Sequence, residues 1–432
     1  MTRPAVAAVD GERLRENVEV NGAFGHVETE SGRGRTVLPG TFPNKQAREY
    51  FVEQLRRAGL DVRVDPVGNI AGRYGPSTVD PGAAPVAAGS HLDSVPCGGI
   101  FDGPLGVYGA LEAVRAIDQS GVEIDRPIDV VSFTGEEGVR FTDGTLGSLV
   151  ASRKATPEDM LSRTDDDGET VRTALEQIGF AGTDDVDATA WDAWLELHVE
   201  QGETLTETET AVGIATSIAG TIRCTVDIEG TAGHSGTLAM DDRTDALVAA
   251  GELVTTVEAT GSELAARDGG ETVATVGELD IDPGAVNVVP GRATLRIDIR
   301  STDYANMQTI VAAVHDDLDR LETERGVETS LDRSYDIEPV PMSERCQTRL
   351  SDAAAAVGVD ATSLHSGAGH DTMRTADVTD GGLLFTPSED GISHNPDERT
   401  EWADCTDAVR VLTDALVRLA TDRGYHSTTS GV

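Results

Sequence analysis

The chain has 432 residues, long enough for two or three domains, and carries 76 acidic against 34 basic side chains for a net charge of −42. That charge excludes a nucleic acid held by a broad basic surface and argues against docking on anionic lipid. Hydrophobic content is 38% and aromatic content 4%, so cores must be built from aliphatic side chains.

Only Lys45 and Lys154 are lysines; the other bases are arginines. An acidic, lysine-poor chain resembles the proteins of salt-loving organisms. In molar salt the Debye length falls to ~3 Å, and carboxylate self-repulsion is screened. Four cysteines (Cys97, Cys224, Cys346 and Cys405) stand far apart with no C-x-x-C pair. They suit a reduced cytoplasm, and Cys97 is expected as a small buried hydrophobe. The start lacks an apolar signal core, and no apolar run reaches membrane-span length, so a cytoplasmic protein without a membrane partner is expected.

In chain order, "NKQAREYFVEQLRRAGL" has Phe51 and Leu55 at helical spacing and stops at Gly59. "LDVRVD" alternates as a strand, and "APVAAGSH" is a short apolar strand ending at His91. "PLGVYGALEAVRAIDQSG" is a helix closed by Gly121. "RPIDVVSFTGEEG" is a buried strand ending before Glu136, and "AWLELHVEQG" another with His198 near its end. This βαβ order predicts an α/β fold: a mainly parallel sheet with helices on both faces. Near Gly213 the character changes. "TIRCTVDIEG" and "ATLRIDIR" alternate with period two, each is followed by a helical stretch, and the order β-α-β-β-α-β predicts a ferredoxin-like α+β insert. The expected organisation is a catalytic domain over 1–212 and 337–432, interrupted by an inserted lid and dimerisation domain over 213–336.

The polar residues of interest sit at strand ends, where open α/β sheets bind ligands. His91, Glu136 with Glu137, His198 and His394 each follow or end a predicted strand. Taken singly, each reads as an ordinary hydrogen-bonded or solvated side chain; gathered at one sheet edge, they read as a metal site. His91, Asp102, Glu137, His198 and His394 supply the five ligands that two divalent ions need, and His, Asp and Glu donors suit Zn²⁺, Mn²⁺ or Co²⁺. Asp93, two residues after His91, is placed to orient its imidazole. In the Glu136–Glu137 pair, one carboxylate can bind metal while the other accepts a proton from the attacking water.

Seven ordered motifs carry a resemblance: "GSHLDSVPCGGIFDGPLGV", "TGEEGVRF", "LELHVEQG", "GTAGHSGTLAMDDRTDA", "NVVPGRATLRIDIR", "GAGHDTM" and "FTPSEDGISHNPDE". Together they resemble the M20-type metal-dependent amidohydrolases, in the branch of N-carbamoyl-L-amino-acid hydrolases, allantoate amidohydrolases and β-ureidopropionases. The resemblance implies that His91 and His198 hold one metal and Glu137 and His394 the other, with Asp102 shared and Glu136 as general base. It implies that His234 stabilises the oxyanion from the partner subunit of a homodimer. It also implies that Asn287 and Arg300 grip the carboxylate of a small anionic ureido or amide substrate, with Gln201 and the loop Gly367, Ala368 and Gly369 completing the pocket. The expected reaction is hydrolysis of a linear, non-peptide C–N bond, releasing an amino acid, ammonia and CO₂. Two departures stand out: Cys97 where many relatives carry Asn, and "GTLAM" after His234 where Gly-Thr-Thr-Pro-Met is usual.

Overall fold

A computed structural model describes residues 2–80, 82–142 and 144–422. It separates into two compact units, one formed by Met1–Thr216 with Pro341–Val432 and the other by Ser217–Val340.

The first unit is organised on a nine-stranded sheet. Four parallel strands form its middle, in the order Asp380–Thr386, Ala193–Val199, Val86–His91 and Ile128–Phe133. Antiparallel strands flank them: Ile70–Tyr74 and Asp61–Val64 on one side, Val212–Ile218 on the other. The central strands are apolar without alternation because both faces are covered. Val86 and Ala88 pack into one core and Ala87 into another; Ile128 and Val130 divide likewise from Val131 and Phe133.

The helix Pro104–Ser120 begins directly after the Asp102 loop and is buried along most of its length. Its Gly121 cap has a left-handed backbone (φ 65°) that satisfies the last turn. The helix Trp402–Thr421 packs beside it, with Val409, Leu412 and Leu416 in the same core.

The second unit is a four-stranded antiparallel sheet in the order Val273–Asp282, Arg292–Ser301, Gly220–Glu229 and Glu328–Ile337. Two helices, Ala246–Asp268 and Tyr304–Arg325, cover one face; Asp245 and Asp303 cap their first turns. Ile222, Cys224, Val226 and Ile228 point into this core, as period two requires, with Leu295, Ile297 and Ile299 opposite. Strand order and connections are those of the ferredoxin-like sandwich.

The division falls at Ser217 and Pro341, not at the expected 213 and 337. The reason is pairing: Gly213 and Ile214 lie opposite Phe385 and Leu384 in the main sheet, and Met342 N–H donates to the Thr216 carbonyl. Residues 423–432 of the expected last segment lie outside the described residues. Among the described residues, no helix is long and apolar enough to cross a membrane.

Candidate metal centre

His91 ends its strand and His198 sits one residue before the end of the neighbouring one; both side chains are buried. Each ring is turned by a backbone carbonyl. His91 Nδ1 lies 3.2 Å from the Asp93 oxygen, and His198 Nδ1 lies 3.0 Å from the Val199 oxygen. A carbonyl only accepts, so each Nδ1 carries hydrogen and each Nε2 is the atom left to bind a proton or a cation. Both Nε2 atoms stand 3.4 Å from Asp102 Oδ1.

Asp102 occupies the loop between the His91 strand and the buried helix. Its backbone N–H and that of Phe101 donate to Glu398 Oε1 at 3.1 and 2.8 Å. Its Oδ2 accepts from Ser393 Oγ (2.7 Å) and Gln201 Nε2 (3.1 Å). The following residue must be glycine. Gly103 has φ 79°, and a Cβ there would lie 2.6 Å from the His91 ring.

Glu136 and Glu137 lie in the loop after Ile128–Phe133. Glu137 Oε1 accepts from Val95 N–H (3.3 Å), while Oε2 lies 3.1 Å from His394 Nε2. His394 Nε2 is also 3.6 Å from Asp102 Oδ2, and Glu136 Oε2 is 3.7 Å from His91 Nε2. His394 is half-exposed and holds a left-handed backbone (φ 55°), a conformation that marks functional loops. Two donor sets result, His91–Asp102–His198 and Asp102–Glu137–His394, each with its ligand atoms within 4.8 Å of one another. Asp102 belongs to both.

The expectation for Asp93 needs correction. Its carbonyl, not its carboxylate, contacts the His91 ring; the nearest carboxylate oxygen is 3.9 Å away. The carboxylate instead accepts from the N–H groups of Gly135 (3.1 Å), Glu136 (3.4 Å) and Glu137 (3.3 Å). It therefore shapes the loop that carries the two glutamates. Cys97 is also corrected: it is exposed, with φ 56°, because it sits in a tight turn fixed by its N–H bond to Thr36 Oγ1.

Sequence reasoning missed four side chains. Ser393 and Glu398 hold Asp102 as described. His370 packs edge-on against the His198 ring, with centroids 4.6 Å apart, and bonds Ser366 Oγ at 3.0 Å. Arg35 is fully buried and donates to the carbonyls of Gly99 (3.0 Å), Leu92 (3.4 Å) and Asp93 (3.3 Å), stapling the turn between His91 and Asp102.

The charges of the site are tightly coupled. Burial disfavours the His91 cation, but Glu136, Asp102, Asp93 and Glu137 outweigh it and hold its pKa well above the usual value. Burial would raise Asp102, yet His198 and His91 hold it well below the carboxylate range. The hydrogen bond that His394 donates to Glu137, together with the charge of that carboxylate, pushes His394 up to about 9. Burial, reinforced by Asp371, Glu137 and Asp102, raises Glu136 well above an ordinary glutamate despite His91. Burial keeps His370 neutral.

These residues fit divalent cations. His91 Nε2 is a buried polar atom with no hydrogen-bond partner, and an anionic cluster of this density calls for positive charge at its centre. All donors are His nitrogen or carboxylate oxygen, which leaves Zn²⁺, Mn²⁺ and Co²⁺ equally suited.

A family model described as Peptidase family M20/M25/M40 matches residues 87–418, from the His91 strand into the last helix, and so spans both donor sets. The chain belongs to this family. Within the M20 family it is similar to the N-carbamoyl-L-amino acid amidohydrolase of Geobacillus stearothermophilus, 35% identical over 95% of this chain and 99% of the relative. It is also similar to the allantoate amidohydrolase of Bacillus subtilis, 34% identical over 85% and 88% of the two chains. Among solved structures, a hydantoinase/carbamoylase family amidase from Burkholderia multivorans superposes with a TM-score of 0.89 at 35% identity, covering 96% of this chain and 98% of that one. The motif resemblance pointed to this same branch.

The remaining expected residues fall into two groups. Gln201 and the loop Gly367–Gly369 lie in the first unit with the metal donors; Ser366 Oγ donates to the Ala368 carbonyl (2.9 Å), and His370 follows. His234, Asn287 and Arg300 lie in the second unit. His234 and Asn287 come together: the strands Gly233–His234 and Val288–Val289 pair, and Ser235 N–H donates to the Asn287 carbonyl (3.1 Å). Arg300 lies opposite Thr221, near where the chain enters the unit, with its Nε on Asp298 Oδ1 at 2.9 Å.

Proposed function

We propose that the protein is a metal-dependent amidohydrolase of linear C–N bonds, acting on N-carbamoyl-L-amino acids. The observation that carries the reading is the pair of donor sets sharing Asp102, with the Glu136 carboxylate beside them and outside both. His91 and His198 would hold one ion and Glu137 and His394 the other, with Asp102 common. Such ions, when bound, supply Lewis acidity and lower the pKa of water from about 15.7 towards ~7.

The chain's own residues do the rest. Glu136 accepts a proton from the attacking water and passes it to the leaving nitrogen; its raised affinity for protons suits both steps. Arg300 presents a planar fork that pairs bidentately with the substrate carboxylate, and Asn287 adds a donor. Gln201 and the Gly367–Gly369 loop fix the ureido end. His234 stabilises the oxyanion, a role typically worth ~3–4 kcal/mol.

The homodimer reading has a geometric argument. Arg292 and Arg300 are eight residues apart on one strand, a span of about 27 Å. His234 and Asn287 belong to the Arg292 end, where Gly230 N–H donates to the Gly291 carbonyl. One small substrate does not bridge that distance. Arg300 and the His234–Asn287 pair serve one site only if two copies contribute.

A second reading is allantoate amidohydrolase, favoured by the similarity to the Bacillus subtilis enzyme at nearly the same identity. A panel in high salt with Mn²⁺, Co²⁺ and Zn²⁺ separates the readings. Ammonia release is measured from N-carbamoyl-L-amino acids, allantoate and N-carbamoyl-β-alanine, against amine release from dipeptides. The carbamoyl amino acids should give the highest kcat/KM; faster dipeptide cleavage would sink the proposal.

A further inference from the structure

The segment after Glu137 is rich in left-handed backbone. Phe141 (φ 77°) and Thr145 (φ 54°) lie there, with Gly138 and Gly144. Thr145 is the informative residue, because a β-branched side chain persists in that conformation only where its surroundings fix it. It is buried, and its N–H donates to the Glu136 carbonyl at 2.9 Å. The N–H groups of Leu146 and Gly147 donate to the carbonyls of Gly135 (3.1 Å) and Thr134 (2.7 Å). Residues 145–147 thus run back along 134–136. They hold the carbonyls of the Glu136 loop while Asp93 holds its N–H groups.

Two side chains from a distant segment fix this return stretch. Arg374 Nε donates to Thr145 Oγ1 at 3.0 Å. Ser148 Oγ donates to the fully buried Asp371 at 2.5 Å. Asp371 precedes the short helical turn Thr372–Thr375 and Arg374 lies within it, just after the Gly367–Gly369 loop and His370. Neither residue belongs to a donor set, and none of the hydrogen bonds holding Asp102, His91 or His198 comes from them.

We propose that Asp371 and Arg374 are positioning residues for Glu136, acting through Ser148 and Thr145, and that they tie the pocket loop 366–370 mechanically to the base. The inference rests on reading Glu136 as that base. A hydrogen-bond frame on both edges of the loop fixes the backbone from which the Glu136 side chain projects, and a misplacement near 1 Å can cost on the order of 10²-fold in rate.

The test compares Arg374→Ala, Arg374→Lys, Ser148→Ala and Glu136→Gln in the metal-loaded full chain. Arg374→Ala should lower kcat by roughly 10- to 100-fold with KM little changed. Metal content should stay at the wild-type value, and the amides of 145–147 should exchange hydrogen faster. Arg374→Lys should restore part of kcat. If Arg374→Ala does not fold, Ser148→Ala should show the same loss confined to kcat. Wild-type kcat in Arg374→Ala or Ser148→Ala, with Glu136→Gln inactive, overturns the positioning role and leaves the base assignment standing. Metal loss in step with kcat also overturns it. An active Glu136→Gln removes the base reading itself, and the positioning role falls with it.

Discussion

Replacing Asp93 by asparagine tests the placement of the glutamate pair most directly. In the native loop the buried Asp93 carboxylate accepts from Gly135 and Glu136 at Oδ1 and from Glu137 at Oδ2, the two glutamate bonds being partly buried. Asparagine keeps one acceptor oxygen, so the first two bonds survive in weaker, uncharged form. Its NH₂ then faces the Glu137 N–H, donor against donor. One buried N–H left without an acceptor costs about 1–3 kcal/mol. The native bond there is long, at 3.3 Å, so the lower half of that range applies. For a unit of this size, with about 2.1 cal/mol/K of unfolding entropy per residue, each kcal/mol lowers the melting temperature by roughly 1–2 °C. Asp93→Ala removes both acceptor oxygens, and with them all three hydrogen bonds, and should lower it at least twice as far. Differential scanning calorimetry, elemental analysis and turnover are read on the same samples. The expected result is a lower melting temperature and reduced kcat, with the His91 donor set still able to load metal. A variant that melts and turns over like wild type would refute the loop role. So would selective loss of one metal at unchanged stability, which would return the carboxylate to the His91 ring.

Further outcomes follow from the same geometry. His394→Ala should lose one of two metals and keep the other, because His91–Asp102–His198 stays complete; loss of both, or of neither, contradicts the division. In chelator-treated protein, Glu137 raises the His394 pKa to about 9, above its ordinary 6.5. The stability it contributes is then fully present below about pH 6.5 and fades as pH rises through about 9. Thermal scans of wild type and His394→Gln should converge at the alkaline end; parallel curves would exclude the linkage. With a net charge of −42, raising salt from about 0.1 M to about 1 M shortens the Debye length from ~10 to ~3 Å. Both melting temperature and activity should rise, and a flat response would argue against adaptation to salt.

Much of this was legible from the chain. The central strands are apolar on both faces, so they read as runs, and the residues at their ends declared themselves together. The insert was visible because Ile222 to Ile228 and Leu295 to Ile299 alternate strictly, as a one-sided sheet must. The strand Val212–Ile218 was not visible as part of the main sheet. It pairs antiparallel with Asp380–Thr386 and also meets Val340–Pro341 and Ala361–Ser366, all far along the chain, and no local period marks it. Spacing placed Asp93 near His91 but could not say which of its oxygens would face the ring. Glu398 was hidden among 76 acids, since only tertiary contact separates it from a solvated carboxylate. Arg35, in the glycine-rich run "SGRGRT", has the local context of a surface arginine; its burial is a product of topology.

That buried arginine bears on how the centre is assembled. Its Nη1 and Glu398 Oε2 are both enclosed and lack hydrogen-bond partners. Burial lowers the Arg35 pKa, while Glu398, Asp102, Glu137 and Asp93 act together to keep the guanidinium charged. A permanent cation therefore sits among the acids whatever else occupies the centre. It offsets part of their mutual repulsion and holds the carbonyls of the turn in place. The turn that joins His91 to Asp102 is thus held by contacts within the polypeptide, through the bonds of Arg35 to the carbonyls of Gly99, Leu92 and Asp93.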